Sequence, residues 1–117
     1  RMPYGQKLLY GVLADSASAE EFTAIKDTLE RNGRRFFDEP MKANDLDAVL
    51  SINNYMVGYA AVAKYPAITV PMGYQEDNRP MGLTFIAPTL SEAQLLELAY
   101  AYEQISKMRK TPVDFEE

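Results

Sequence analysis

Residues 65–112 read YPAITVPMGY–QEDN–RPMGLTFIAPTLSEAQLLELAYAYEQISKMRKTP, and this stretch decides the fold. Ala67 to Val70 and Gly82 to Ala87 are almost wholly apolar, the pattern of strands buried on both faces. Between them, residues 71–81 contain Pro71, Gly73, Asp77-Asn78 and Pro80, which predicts a hairpin with a longish loop. Pro88 stops the second strand, and Ser91-x-x-Gln94 then reads as a capping box opening a helix over 91–108. The stripe of that helix is Leu95, Leu98, Tyr102, Ile105 and Met108, broadened by Leu96, Ala99 and Tyr100, wide enough to pack on a sheet. Lys107, Arg109 and Lys110 suit its negative end, and Pro112 prevents continuation.

Working outward, Ser18-x-x-Glu21 is a second capping box. It opens a helix carrying Phe22, Ile25, Leu29 and Phe36 on one stripe, acidic at its start and with Arg31, Arg34 and Arg35 late. Gly33 weakens this helix, and Pro40 predicts a break near 38–40 with a second helical piece to about Asn44. DAVLS at 47–51 reads as a short strand, and residues 56–64 as a short helix after a loop. Residues 1–18 show no clean period and are expected to be an irregular opening segment, and 111–117 a loose acidic tail. The sum is one α/β domain over 1–117. Its small mixed sheet comes from 47–51, 67–71 and 82–87, with helices near 19–37 and 91–108 as its cover.

Composition excludes much chemistry. A chain of 117 residues with 47% apolar content supports one domain with a core. Without cysteine there is no disulfide, thiolate metal site or thiol nucleophile, and a reducing cytoplasmic setting is the default expectation. Without histidine there is no imidazole base, metal ligand or Ser-His-Asp triad. A net charge of −5 with scattered Lys and Arg predicts no nucleic-acid partner. The apolar runs fall far below the ~20 residues of a membrane span, so no membrane partner is expected. Residue 1 is arginine, so the reading frame is expected to begin further upstream.

Five serines are present, and Ser18 and Ser91 read as helix caps. None has a glycine-rich oxyanion setting or a Ser-x-x-Lys partner. Asp45 and Asp47 lack the further oxygens of a calcium loop, and the glycines form no nucleotide cradle. Catalytic residues, metal ligands and cofactors are accordingly expected to be none. The one candidate ligand position is Ser51, Asn53, Asn54 and Tyr55, polar groups just beyond a strand end, where open sheets place ligands. A turn stabilised by asparagine side chains is the competing reading.

MPYGQ at 2–6, LDAVLS at 46–51, YPAITVPMGY at 65–74 and RPMGLTFIAPTLSEAQLLELAYAYEQ at 79–104 together resemble, in order, the carboxy-terminal part of amidase-signature proteins. That resemblance implies hydrolysis of carboxamide C–N bonds, or amide transfer as in the glutamyl-tRNA amidotransferase branch. The family's reaction uses a serine nucleophile, a cis-peptide serine and a lysine within a Gly-Gly-Ser-Ser-Gly-rich signature, and nothing in this chain matches it. What carries over is scaffold, with residues 51–55 as a pocket wall, although LDAVLSINN departs from the usual leucine-proline-threonine strand ending. The expectation is a carboxy-terminal segment, inactive alone, whose partners are the rest of a parent amidase and that parent's small-molecule amide substrate. Isolated, it is expected to form a homo-oligomer through apolar strand or helix faces. The alternative is a non-enzymatic binding or assembly module.

Overall fold

A computed structural model describes residues 5–111. The elements, in chain order, are α1 (Lys7–Ala14), α2 (Ala19–Asn44), β1 (Val49–Ile52), α3 (Val57–Ala63), β2 (Ala67–Tyr74), β3 (Pro80–Ile86) and α4 (Glu92–Ser106). Three strands form one sheet in the order β1-β3-β2. β3 runs antiparallel to both neighbours, so the sheet expected to be mixed has only antiparallel pairings. The reason is topological: β1 and β2 run the same way, joined through α3, and β3 turns back from β2 to insert between them. The α/β class is as expected, and the hairpin loop is shorter than expected, with Pro71 and Gly73 inside β2 around a bulge.

The sheet separates two apolar clusters. On one face, Phe37 and Met41 of α2 meet Ala60 and Ala63 of α3, Tyr65 and Ile86. On the other, Leu95 and Ala99 of α4 meet Val70, Phe85 and Ala87. β3 is therefore covered on both sides, and Thr84 and Ile86 are wholly buried. β2 is not: Val70 is buried, whereas Ala67 and Thr69 are exposed on the α2–α3 side. The apolar reading of β2 overstated its cover, because an edge strand is protected by a neighbour on one side only. α4 is narrower in contact than its sequence suggested, with Leu96, Tyr100 and Ile105 exposed.

α2 runs without a break through Gly33 and Pro40. Gly33 is required by close approach. A Cβ there would stand 3.0 Å from both the Ala63 backbone nitrogen and Val62 Cγ1, so glycine lets α3 seat directly on α2. Pro40 forfeits one helical hydrogen bond, at a cost of about 3 kcal/mol. Burying Phe37 and Met41 on either side of it offsets that cost.

The Ser18–Glu21 capping box forms as expected, in both directions. The Ser91–Gln94 box does not. Leu90 sits at φ 67° and leaves Ser91 at φ −99°, ψ 22°, outside the extended geometry of a capping residue, while the Gln94 side chain donates to Asp47 Oδ1 at 3.0 Å. The opening segment is not irregular throughout, because residues 7–14 form α1. Leu8, Leu9, Val12 and Leu13 recur at helical spacing, with Gly11 interrupting the pattern. Every residue of α1 is exposed. The tail expected over 111–117 lies, beyond Thr111, outside the described residues.

Candidate functional site

Ser51, Thr84 and Thr69 form a row of hydroxyls across the three strands, set by the register Ser51↔Thr84 and Thr69↔Thr84. Thr84 Oγ1 donates its one proton to the Asn53 carbonyl. It also lies 2.7 Å from Thr69 Oγ1, so Thr69 is the donor in that pair. The chain Thr69 to Thr84 to Asn53 carries polarity out of a wholly buried position without an unmet group.

Asn53 is where this chain ends and the corner begins. Its backbone lies at φ 50°, a left-handed conformation that asparagine tolerates better than most residues. Its N–H donates to the Gly82 carbonyl at 2.7 Å, and its Oδ1 accepts from the Gly82 N–H at 2.8 Å. Gly82 fits here because a Cβ would lie 2.6 Å from Thr69 Cγ2. Asn53 Nδ2 finds only a sulfur, Met81 Sδ at 3.7 Å, and so retains donor capacity.

Asn53 and Asn54 line an open cavity of about 470 Å³ with Thr69, Pro71, Tyr74 and Met81 among its other walls. The four sequence candidates therefore divide. Asn53 and Asn54 share this cavity, while Ser51 is buried in the sheet, its hydroxyl turned to the Ile52 carbonyl at 3.5 Å. Tyr55 lines a different, apolar groove of about 520 Å³ between α2 and α3. The cavity walls contain amides, hydroxyls and a thioether but no carboxylate, lysine or serine. That set can bind a neutral polar group by hydrogen bonds; it cannot supply a nucleophile with its base.

Among the described residues, three titratable groups are perturbed. The capping bonds with Ser18, its backbone N–H first and its side chain second, hold the Glu21 carboxyl below its usual range. The other two groups lie in the α2–α3 contact. Burial, and then the Asp38 carboxylate that accepts its proton, push the Tyr65 hydroxyl up to about 12. A hydrogen bond from Lys64 holds the Glu30 carboxyl below its usual range, with Nζ 2.6 Å from Oε2. These groups fasten the end of α3 to α2. No cluster of three metal-ligating side chains occurs among the described residues. No described helix is long and apolar enough to cross a membrane.

No family model matches the chain. A probable amidase of Arabidopsis thaliana is 29% identical over 109 residues, which are 93% of this chain and 21% of that protein. A glutamyl-tRNA(Gln) amidotransferase protein of a Nostoc species is 43% identical over 53 residues, 45% of this chain and 11% of that protein. Among solved structures, an amidase family protein from Bacillus anthracis superposes with a TM-score of 0.88 at 36% identity. That superposition covers 96% of this chain and 22% of the other. The peptide amidase of Stenotrophomonas maltophilia gives 0.85 at 30% identity, covering 97% and 26%. The fold is thus one that amidases contain, and the homologues of this chain are amidase-signature proteins. The chain spans about a fifth of the Arabidopsis relative's length.

Proposed function

We propose that this chain is a scaffold segment of an amide-hydrolysing protein, presenting Asn53 and Asn54 as part of a pocket wall. The nucleophilic serine, bridging serine and lysine of such a protein would lie outside these 117 residues. The observation that carries the reading is the fold shared with the Bacillus anthracis amidase family protein over 96% of the chain at 36% identity. The local chemistry agrees with it: a corner where Asn53 Nδ2 retains donor capacity, and whose lining residues carry no charged side chain, suits a carboxamide or its carbonyl. Ser51 and Tyr55 take no part in this wall, since one is buried and the other faces the α2–α3 groove.

On this reading the purified chain hydrolyses no carboxamide, because nucleophile, base and oxyanion donors do not converge in it. Incubation with a chromogenic amide tests this directly. Turnover that a serine-directed reagent abolishes would sink the proposal. Reading the gene upstream of Arg1 is the complementary test, with a Gly-Ser-Ser-Gly-rich signature expected in frame. A second reading, a non-enzymatic assembly module, is favoured by one observation, the exposed apolar stripe of α2. It predicts a start codon near residue 1 and no such signature.

A further inference from the structure

Among the described residues, Met81 is the methionine whose sulfur receives hydrogen bonds, and it receives two. Asn53 Nδ2 lies 3.7 Å from Sδ, and Gln75 Nε2 lies 3.2 Å from it. A thioether is a weak acceptor, so neither amide is well matched there. Both are nevertheless held in place from different parts of the chain. Asn53 Oδ1 takes the Gly82 N–H, which turns Nδ2 towards Met81. Gln75 is fixed by the hairpin loop: its N–H donates to the Arg79 carbonyl and its own carbonyl accepts from the Asn78 N–H, each at 2.9 Å. Met81 itself is partly buried. Met41, by contrast, is 6% exposed inside the α2–α3 core, and Met108 is 43% exposed.

We propose that Met81 is a site of reversible oxidation, where a hydroperoxide converts the thioether to a sulfoxide that Asn53 and Gln75 receive by hydrogen bonds. A sulfur lone pair takes the terminal oxygen of the peroxide, and the S–O bond forms as the O–O bond breaks. The proton of the transferred oxygen moves to the leaving oxygen, which departs as water or an alcohol. Sulfur loses two electrons and the peroxide gains them. The new oxygen is added at a lone pair, the direction from which both amides already approach. A sulfoxide is polar where a thioether is not, and in a partly buried place it needs donors. Here two are waiting, whereas at Met41 the same oxygen would be a buried acceptor without a partner. The oxidant's route is the open cavity of about 470 Å³ that Met81 lines. That route does not depend on what surrounds the chain, since on the pocket reading this wall is one a substrate must reach. Oxidation then spends the Asn53 Nδ2 donor on the sulfoxide and withdraws it from a carboxamide, until a methionine sulfoxide reductase restores the thioether. This consequence rests on the pocket reading; the modification does not.

The test is to treat the folded 117-residue chain with hydrogen peroxide and map the product by peptide mass spectrometry. Met81 is expected to gain one oxygen while Met41 stays reduced. Urea unfolding before and after treatment then reads what the oxygen does, and Met81→Leu, treated alike, supplies the share due to the other methionines. Against that control, oxidation of Met81 should leave the folded-to-unfolded ratio within about 3-fold, because its oxygen keeps two hydrogen bonds. In the double variant Asn53→Asp, Gln75→Leu both donors are gone, while an oxygen remains for the Gly82 N–H. Oxidation should lower its ratio on the order of 10-fold. Should that variant lose its fold, Gln75→Leu alone, at an exposed loop position, carries the decision with a loss of about 5-fold. A Met81 that stays reduced, or an oxidation that affects wild type and donor variant equally, would overturn the proposal. Neither result bears on the pocket reading, which is decided by amide turnover.

Discussion

Replacing Gly82 by alanine tests the corner most directly, because two effects of opposite sign compete there. Where space allows, glycine to alanine stabilises by about 0.4–1 kcal/mol by restricting the unfolded chain. Here the new methyl would stand 2.6 Å from Thr69 Cγ2, whereas carbon atoms prefer about 3.5–4.0 Å. Thr69 cannot swing that methyl aside freely. Its Oγ1 is held at 2.7 Å by Thr84 Oγ1, and rotating it away would forfeit a hydrogen bond worth about 1 kcal/mol. Moving β2 instead strains its pairing with β3, an overpacking cost of about 1–3 kcal/mol. The expected net loss is about 1–2 kcal/mol, measured as a lower urea midpoint at unchanged slope. Thr69→Ser removes only the clashing methyl and keeps the donor, so Gly82→Ala should be close to neutral in that background. A stabilising Gly82→Ala, or a loss that Thr69→Ser leaves untouched, would refute the reasoning.

Ser18→Ala should cost α2 about 1 kcal/mol in urea unfolding, whereas Ser91→Ala should cost little, since only Ser18 accepts a capping bond. Alkaline stability should fall as pH rises from 10 through about 12, because the unfolded chain releases the Tyr65 proton before the folded one does. In Tyr65→Phe that component of the slope should vanish. The Glu30 carboxyl is depressed in the folded state, so its contribution is present above pH 4.5 and lost as acid protonates it. Lys64→Gln should flatten the acid limb of the stability profile. Phe37→Ala should cost about 3–5 kcal/mol, seen as a large drop in urea midpoint, since the ring is 1% exposed in the α2–α3 core.

What was legible in the sequence was what depends on neighbours along the chain. The Ser18–Glu21 box, the apolar strands and the α4 period each express local preference, and each element is present. Pro40 misled because a local penalty was outweighed by burial on both sides of it, a tertiary effect no window contains. The Ser91 box failed through the left-handed Leu90 beside it, which only the tertiary path of the turn imposes. α1 was missed because Gly11 blurs its period. At the candidate site the Asn53-Asn54 pair was visible as a strand-end signal. Its clamp on Gly82 and the hydroxyl row were not, because register joins residues far apart in sequence. Glycine with no turn signature, set between Met81 and Leu83 in an apolar run, was the one cue to close backbone approach that sequence offered.

The order of the strands has a consequence for how the protein comes into being. Among the described residues β1 and β2 pair with no strand but β3, and β3 is the last of the three to leave a ribosome. Until it emerges, α2 and α3 can pair, yet β1 has no ladder to join and waits as an unpaired edge while α3 and β2 are made. The hairpin of β2 and β3 closes locally and quickly; capture of β1 is the long-range step. Synthesis that stalls before residue 80 therefore yields a helical pair trailing two orphan strands, a species disposed to aggregate. A pause just after β3 is reached would give that last strand time to be threaded between the two already waiting.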